Sequence, residues 1–515
     1  MRSKSAQKTW LGILWLMGVG IWGGCLDQAK VEPVNPPPPQ QPDLTVCENG
    51  CCDPIQCGQF AWARQSLGAD RDEGWGVGRL SDGSLVLTGV FTVELKLGQP
   101  DVPEVLLGLT SAEAVFEENR GFIARYRADG KLDWAKRCEV CGKGLATLAD
   151  DSFLVSGNGV ARYTARGELV WSREIQDSIP NIGGAKVAAW PDGSFVLTGA
   201  FERSLTLGKG EPRETTLVEK SSKKVMYVAR LDAEGRLIWA RKVGSKNGEK
   251  AHVRPEHAAL WPDGSSAVVG SFSHLPAFGA GEAHESIPTY GDRNQESHSH
   301  IFIARYSQSG DLDWVKFVGG TNASSAMEVA ASSAIVDAQG DLVVGGYFSG
   351  TTVFEAESAE EVVLTAASIS GFVARFRAHG ELVSARPLGS TIALSRVLDL
   401  DVYPDGGLVV AGVYAEQITL GSPDSGEVSL STELGPGQAT LFLARYRPDG
   451  SLLWADSAAG GWSEPNAVVA LPEGGAALTG TVATPTIFGK GESAEVRLDA
   501  TDFELLVVNY AEPSK

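Results

Sequence analysis

The sequence predicts an all-β protein: a seven-bladed β-propeller of four-stranded antiparallel blades, closed by pairing of its N-terminal and C-terminal strands. Two recurring patterns lead to this fold. A strand of the form Phe-Ile-Ala-Arg-Tyr, followed by an Asp-Gly turn and a Leu-x-Trp strand, recurs along the chain, and a second hairpin with its own turn precedes most copies. The composition agrees, because 61 glycines and 25 prolines suit short strands and tight turns.

The spacing of the strand phrase gives the size and number of the blades. Two hairpins make four strands, and most successive phrase alanines lie about 70 residues apart, the length of a propeller blade. Counting a short copy that begins at Leu145, the second hairpin occurs seven times, so we expect seven blades. The phrase alanines are Ala124, Ala161, Ala229, Ala304, Ala374 and Ala444.

The two ends of the repeat region complement each other. Residues 503–510 have the pattern of a third strand without its partner, and residues 60–63 have the Trp-Ala pattern of a fourth strand without its predecessor. Pairing the two would complete one blade and remove exposed sheet edges. The sequence therefore predicts a closed ring, with a propeller domain over residues 59–515.

These motifs resemble those of the bacterial β-propeller repeat family often called SBBP. Its units carry a Phe-Val-Ala-Lys-Leu strand, a turn glycine, a Leu-Val-Trp strand and a hairpin ending in Val-Thr-Gly, and the likeness covers residues 60–510. The resemblance implies the fold and leaves function open, because propellers host unrelated activities. The Gly-x-Leu-x-Trp element is also similar to the repeat of quinoprotein dehydrogenases and of an outer-membrane assembly lipoprotein, where eight blades are usual.

The first residues predict export and a lipid anchor. Three basic residues precede an apolar run over residues 10–22, which ends at Gly23-Gly24-Cys25. Small residues before a cysteine resemble a bacterial lipobox, so we expect residues 1–24 to be a lipoprotein-type signal peptide and Cys25 to be lipidated. An ordinary signal peptide or an uncleaved anchor is the alternative.

A spacer is expected after the lipidation site. Residues 25–46 contain four consecutive prolines and favour an extended polyproline II tether between the membrane and the folded domain. Leu26, the residue after Cys25, is not the aspartate associated with retention in the inner membrane. The sequence thus predicts a bacterial envelope protein held by its lipid anchor on the outer membrane, on its periplasmic or surface face.

The cysteines are consistent with an oxidising compartment. Without Cys25 they number six, and four of them crowd into residues 47–58, where we expect a cysteine-rich staple. Their pairing is open, and a zinc site, a redox pair or a vicinal disulfide of the type found in some quinoproteins are the alternatives. The disulfide candidates are Cys47, Cys51, Cys52, Cys57, Cys138 and Cys141.

Charge and motifs exclude several function classes. A net charge of -20 argues against nucleic-acid partners, which need clustered basic residues. The sequence has neither a Gly-x-Ser-x-Gly elbow nor a phosphate-binding loop, and His298 and His300 would supply only two metal ligands. We therefore predict no catalytic residues, no metal and no cofactor. The repeated arginines and tryptophans, such as Arg305 and Trp314, are expected to pack the blades.

Long insertions between the second and third strands are the most variable part of the repeat. Several contain a Leu-Gly or Phe-Gly phrase, as at Leu207-Gly208 and Phe278-Gly279, which predicts an added hairpin. These hairpins either form a raised binding rim or only lengthen the blades. The short blade near residues 145–171 lacks one, which would leave a notch.

The predicted function is a monomeric, non-catalytic envelope lipoprotein that binds a protein or a surface polysaccharide. The alternative is an enzyme with an axial site, either a hydrolase or lyase or a quinone-dependent dehydrogenase, for which Asp337, Asp399 and Asp401 are the candidate residues. A purely structural spacer is a further alternative. A polar pocket with clustered carboxylates would favour the enzyme, and a broad apolar rim would favour partner binding.

Overall fold

The seven predicted copies fold as seven separate sheets. A computed structural model describes residues 58–67, 71–99, 102–108, 120–177, 185–221, 223–246, 248, 250–288, 299–319, 329–355, 358, 360–389, 393–435 and 438–511. Every regular element in these ranges is a β-strand, and none of their segments is a helix able to cross a membrane. The predicted signal peptide, tether and cysteine-rich staple, with Cys25, Cys47, Cys51, Cys52 and Cys57, lie outside the described residues.

The strands of the first half of the chain are short and alternate with turns. They are β1 (Gln59–Gln65), β2 (Asp72–Arg79), β3 (Leu85–Phe91), β4 (Glu94–Gln99), β5 (Val102–Gly108), β6 (Arg120–Tyr126), β7 (Leu132–Cys138), β8 (Gly144–Thr147), β9 (Phe153–Ser156), β10 (Gly159–Tyr163), β11 (Leu169–Glu174), β12 (Gln176–Asp177), β13 (Lys186–Ala189), β14 (Phe195–Phe201), β15 (Ser204–Leu207), β16 (Thr215–Val218), β17 (Val225–Leu231) and β18 (Leu237–Val243).

The second half continues the same pattern with longer strands. They are β19 (Ala251–Leu260), β20 (Ser266–His274), β21 (His300–Tyr306), β22 (Leu312–Val318), β23 (Val329–Val336), β24 (Leu342–Phe354), β25 (Val362–Phe376), β26 (Leu382–Leu388), β27 (Ser395–Val402), β28 (Leu408–Tyr414), β29 (Gln417–Ser422), β30 (Gly426–Ser431), β31 (Thr440–Tyr446), β32 (Leu452–Ser457), β33 (Ser463–Ala470), β34 (Ala476–Val482), β35 (Thr486–Phe488), β36 (Val496–Leu498) and β37 (Glu504–Ala511).

Seven four-stranded antiparallel sheets form the blades, which confirms the predicted fold class. The first strand of each blade contacts the first strand of the next, and β33 of the last blade contacts β2 of the first, so the ring is closed. The blades are blade 1 (β2, β3, β6, β7), blade 2 (β8, β9, β10, β11), blade 3 (β13, β14, β17, β18), blade 4 (β19, β20, β21, β22), blade 5 (β23, β24, β25, β26), blade 6 (β27, β28, β31, β32) and blade 7 (β33, β34, β37, β1).

Blade 7 contains both ends of the propeller, as the sequence predicts. Strand β1 pairs antiparallel with β37, from Gln59 opposite Ala511 to Gln65 opposite Leu506. Trp62 on β1 then reaches blade 1, where its Nε1–H donates to the carbonyl of Ala128 at 3.0 Å. The outermost strand of the last blade is thus supplied by the start of the repeat region, and it also contacts the first blade.

The repeated tryptophans pack neighbouring blades, as expected. The indole of Trp239 in blade 3 donates to the carbonyl of Gln308 in blade 4 at 3.0 Å. Its ring lies over Gly310, where φ is +86° and an added Cβ would lie 2.5 Å from the ring. Only glycine suits this turn, because it tolerates the left-handed conformation and leaves room for the indole.

The repeated arginines have a shared structural role as well. Arg305 of blade 4 pairs with Asp263 in the first hairpin of its own blade at 2.9 Å and donates to the carbonyl of Ala378 in blade 5 at 3.0 Å. Arg445 repeats the pattern with Asp405 at 3.1 Å. These arginines lie in the third strands, and their side chains reach the hairpin turns and join adjacent blades.

The insertions form the predicted hairpins, and one face of each is buried. Leu95, Leu205 and Ile418 are fully buried, and the corresponding hairpins are β4–β5, β15–β16 and β29–β30. A hairpin pairs with the chain leaving the preceding blade, as shown by β12 with β15 and by the bridge between Ala459 and Ile487. The hairpins therefore extend the blades and connect neighbours, the second of the two roles considered for them.

Blade 2 has no such hairpin, because β9 and β10 are joined by a two-residue turn. The chain leaving blade 1 consequently has no hairpin to pair with. A disulfide between Cys138 and Cys141, with Cα atoms 5.4 Å apart, lies at this junction, and both cysteines are buried. Among the described connections between blades, the one from blade 1 to blade 2 has no hairpin beside it, and the disulfide stabilises this connection.

Substitution of Trp62 by alanine should destabilise the whole ring, because it removes a buried indole and its hydrogen bond where the two chain ends meet. We expect the free energy of unfolding to fall by about 3–5 kcal/mol in denaturant titrations. Leu67→Ala, at a half-exposed position just after strand β1, is the control and should change the free energy of unfolding little. Equal effects of the two substitutions would contradict a ring held at this contact.

Replacement of both Cys138 and Cys141 by alanine should weaken the junction between blades 1 and 2. A loop of this length gives a disulfide worth about 2 kcal/mol through chain entropy. Amide hydrogen exchange should increase at the end of β7 and the start of β8. Exchange near the bridge between Gly244 and Ala277, which a hairpin supports, should stay unchanged, and an increase at both places would argue against a local role.

Candidate axial ligand site

A cavity of about 630 Å³ lies on the axis of the ring. It is lined by the first strands of all seven blades, together with residues near the second strands of blades 4 and 5. Its volume falls within the range of about 300–1,000 Å³ typical of small-molecule sites. Unlike most such sites, its wall contains many charged and polar side chains.

Bulges in the first strands direct side chains into this cavity. Five of the seven first strands contain an irregularity in register, and an extra residue lies at each. A bulge bends a strand locally and changes the direction of its side chains. The five extra residues all line the cavity: Trp75, Glu256, Ser332, Leu398 and Asn466.

The register defines one equivalent position in every blade, which directly follows the bulge in the five first strands that have one. The residue at this position pairs with the residue that precedes a glycine of the second strand. Blades 3 to 6, which are consecutive in the ring, carry polar residues there, whereas blades 7, 1 and 2 carry glycine or alanine. In order from blade 1 the residues are Gly76, Gly144, Lys186, His257, Ser333, Asp399 and Ala467.

Side chains at this position point toward the first strand of the next blade. At Gly144 an added Cβ would lie 2.9 Å from the backbone nitrogen of Val187, so glycine permits a close approach of blades 2 and 3. The carboxylate of Asp399 reaches blade 7 in the same direction and accepts from the backbone N–H of Val468 at 2.8 Å. At this position, one half of the ring is therefore closely packed backbone, and the other half carries polar side chains.

The carboxylates of the cavity are hydrogen-bonded by the protein itself. The second oxygen of Asp399 accepts from the Ser333 hydroxyl at 2.6 Å. Asp401 accepts from the N–H groups of Ala470 and Val402 at 2.9 and 2.8 Å, and burial still raises its pKa to about 6. Glu256 pairs with Arg254 at 2.8 Å. These three acidic groups already have partners within the chain.

The two lysines that line the cavity differ from these acidic groups. Neither Lys143 nor Lys186 forms a hydrogen bond or an ion pair with any part of the chain that the structure describes. The ammonium of Lys143 lies 4.1 Å from the centroid of the Trp75 ring. Burial lowers the pKa of Lys186, an effect opposed by Asp399 and Glu256. Burial also lowers the pKa of Lys143, and repulsion from Lys186 adds to the shift.

His257 lies between the lysine side and the aspartate side of the site. Burial lowers its pKa, with Asp399 acting in the opposite direction and Lys186 in the same direction. Its Nδ1 atom is buried and has no hydrogen-bond partner among the described residues. The imidazole also hydrogen-bonds to the backbone of Ala334, which opposes the lowering of its pKa.

The mouth of the cavity carries a second set of charges. Arg396 lies over the ring of Tyr347, with 4.8 Å between the guanidinium carbon and the ring centroid. Burial raises the pKa of Glu464, and Arg396 opposes that rise. Asn466 spans the junction of the last and first blades, because its amide donates to the carbonyl of Gly74 at 2.8 Å.

The residues singled out from sequence are only partly brought together. Asp399 and Asp401 line the cavity, whereas Asp337 lies in the first hairpin of blade 5 and pairs with Arg375. His300 is buried against the Phe272 ring at 5.3 Å, and His298 lies outside the described residues. Among the described residues no group of three potential metal ligands occurs.

Lys143, Lys186 and His257 are residues that the sequence reasoning missed. The strand phrases draw attention to what the blades share, whereas these side chains occupy a position where the blades differ. The glycine in or directly after each second strand could have identified them, because the residue before it pairs with the equivalent position on the first strand. Aligning the hairpins on that glycine would place Lys186, His257 and Asp399 at one level.

The fold and this cavity define a β-propeller with an axial site. No protein-family model and no curated protein matches the sequence. An inactive virginiamycin B lyase from Staphylococcus aureus, solved with quinupristin, is 10% identical with a TM-score of 0.37, over 87% of this chain and 99% of that chain. A Dyadobacter fermentans protein of unknown function is 10% identical with a TM-score of 0.41, over 89% of this chain and 100% of that chain.

A further similar structure is a member of the DUF4221 family from Bacteroides vulgatus. It is 8% identical with a TM-score of 0.32, over 89% of this chain and 100% of that chain. These similarities concern architecture, and nothing about ligands or activity transfers from them.

Substitution of Lys186 by methionine should stabilise the protein, because it removes an ammonium that folding leaves without a partner. Since the folded-state pKa is lowered, the penalty on stability is fully present below that pKa, and it decreases as the pH rises from there toward the unfolded-state pKa of about 10.4. We expect a rise in Tm of about 1 °C or more at pH 6.5 and a smaller rise at pH 9.5.

The control is Lys242→Met. Lys242 pairs with the buried carboxylate of Glu219 at 3.0 Å, so its removal should lower Tm. A fall in Tm for both variants would show that Lys186 supports the fold and is not held in the cavity at a cost to stability.

Proposed function

We propose that the protein is a lipid-anchored binding protein of a bacterial envelope, built from SBBP-type repeats, that does not catalyse a reaction. Its partner is a protein or a surface polysaccharide, part of which enters the axial cavity. The observation that carries this proposal is the division of the equivalent ring position into a polar half on blades 3 to 6 and a closely packed half on blades 7, 1 and 2.

The construction of the ring supports a binding role. The first strands are held by the closed sheet of blade 7 and by indole contacts such as that of Trp239 with blade 4. A cavity whose walls are already in place loses little conformational entropy when it binds a ligand. The polar groups are also concentrated at the axis, while exposed large apolar side chains such as Leu106, Val218 and Val363 are distributed over different blades.

The lipid anchor and outer-membrane location rest on the sequence before the propeller. The apolar run over residues 10–22 and Gly23-Gly24-Cys25 are the supporting features. Several acyl chains at about 0.8 kcal/mol per buried methylene would hold the protein on a bilayer. The proline-rich tether would then separate the cavity from the membrane surface, so that a partner could reach it.

An axial enzyme is the second candidate, and one observation favours it. Burial lowers the pKa of both His257 and Lys186, and groups in a cavity whose pKa values are shifted by burial are candidates for acid–base catalysis. Against this role, Asp399 uses both oxygens on Ser333 and Val468, so it does not orient the imidazole as a catalytic carboxylate would.

Filling the cavity should abolish partner capture. Ser332→Trp places an indole at a half-buried bulge position on the axis, while Val363→Trp places the same side chain on an exposed strand of the same blade. Full-length protein of each kind is purified from its native envelope after crosslinking, and bound components are identified by mass spectrometry. We expect one component to be recovered with wild type and Val363→Trp and lost with Ser332→Trp.

Two results would contradict the proposal. Equal recovery with both tryptophan variants would place the partner away from the axis. Turnover of a small substrate by the wild-type protein, abolished by Ser332→Trp, would favour the enzyme.

A further inference from the structure

The charged groups of the axial cavity differ in whether the chain already satisfies them. Both oxygens of Asp399 and of Asp401 accept hydrogen bonds from the chain, and Glu256 is paired with Arg254. Lys143 and Lys186 have neither a hydrogen bond nor an ion pair with the described chain. Both lysine side chains are half-buried and line the cavity, so their ammonium groups are partly desolvated and accessible to a ligand.

The two lysines lie on adjacent blades and face the same cavity. Lys143 directly precedes the first strand of blade 2, and Lys186 begins the first strand of blade 3. The two side chains are close enough that the charge of Lys186 lowers the pKa of Lys143. An anion held between them would remove this repulsion and supply both with a hydrogen-bond acceptor.

The charge balance selects the kind of anion. Four basic side chains line the cavity, Lys143, Lys186, Arg254 and Arg396, and four acidic ones, Glu256, Asp399, Asp401 and Glu464, so the formal charge of the lining is zero. A singly charged carboxylate between the lysines disturbs this balance less than a phosphate dianion would.

The rest of the wall indicates what the carboxylate is attached to. Ser332, Asn466 and Glu464 offer hydroxyl, amide and carboxylate groups to a ligand, and apolar side chains such as Leu145, Ile335 and Leu400 lie among them. A volume of about 630 Å³ holds one or two sugar rings. Sugars match such a mixed wall, because they combine hydroxyl groups with apolar ring faces.

We propose that Lys143 and Lys186 bind the carboxylate of an acidic sugar, and that the polar wall formed by Ser332, Glu464 and Asn466 holds its hydroxyl groups. This inference rests on the proposed binding function and narrows its partner to an acidic polysaccharide.

The test is a titration of the full-length protein in detergent with D-glucuronate, followed by ligand-detected NMR and calorimetry. Glucose, which lacks the carboxylate, is the matched comparison. We expect glucuronate to bind at least tenfold more tightly than glucose. Lys143→Met and Lys186→Met should each weaken glucuronate binding by about tenfold or more, while Lys131→Met, in an exposed turn, should leave it unchanged.

Circular dichroism of each variant checks that it is folded, and the expected gain in stability of Lys186→Met makes its loss of binding interpretable. Equal affinity for glucose and glucuronate, or full affinity in both cavity lysine variants, would overturn the proposal. Tighter binding of acetyl-Ala-Ala would replace the sugar by a peptide carboxylate, and tighter binding of inorganic phosphate would replace the carboxylate by a phosphate.

Failure here is distinguishable from failure of the proposed function. Loss of envelope capture in Ser332→Trp together with absent glucuronate binding would leave the axial binding role intact and refute the acidic sugar. Chemical conversion of bound glucuronate would refute the non-catalytic role, while the two lysines would remain its anion site.

Discussion

The pairing of β1 with β37 is the interaction on which the rest of the structure depends. It joins the two ends of the propeller within one sheet, so the seven first strands surround an axis at fixed distances. Trp62 continues the closure by packing on blade 1, and Asn466 does the same at the axis through its bond to Gly74. Without this closure the cavity would have no fixed wall, because each blade contributes only one short strand to it.

The residues that recur in every blade stabilise the fold, whereas the residues that differ between blades give the cavity its chemical groups. Arginine, tryptophan and the turn glycine recur because every blade must contact the next at the same place, and variation there would cost stability. The first strands also contact one another around the axis, and there the residue at the equivalent position differs from blade to blade. This is where Lys186, His257 and Asp399 lie, and the protein concentrates its titratable groups on one half of a ring that is otherwise close to symmetric.

The architecture could be predicted from sequence because it follows from sequence patterns that are local and repeated. Asp-Gly turns, the Phe-Ile-Ala-Arg-Tyr strand and the complementary ends indicated seven blades and their closure. The cavity could not be predicted in the same way, because its residues are far apart in sequence and share no motif. Asp399 and Asp401 were recognised as inner-strand residues, but Asp337 was placed with them although it lies in a turn and pairs with Arg375. The lysines were missed because an isolated lysine in a strand carries no signal until the register is known.

A structure of the full-length protein bound to a fragment of its native envelope would show where the partner binds. The fragment should lie in the axial cavity, with an anionic group within hydrogen-bond distance of the ammonium groups of Lys143 and Lys186. A fragment bound along the outer hairpins, with the two lysines still without a partner at the axis, would contradict this prediction.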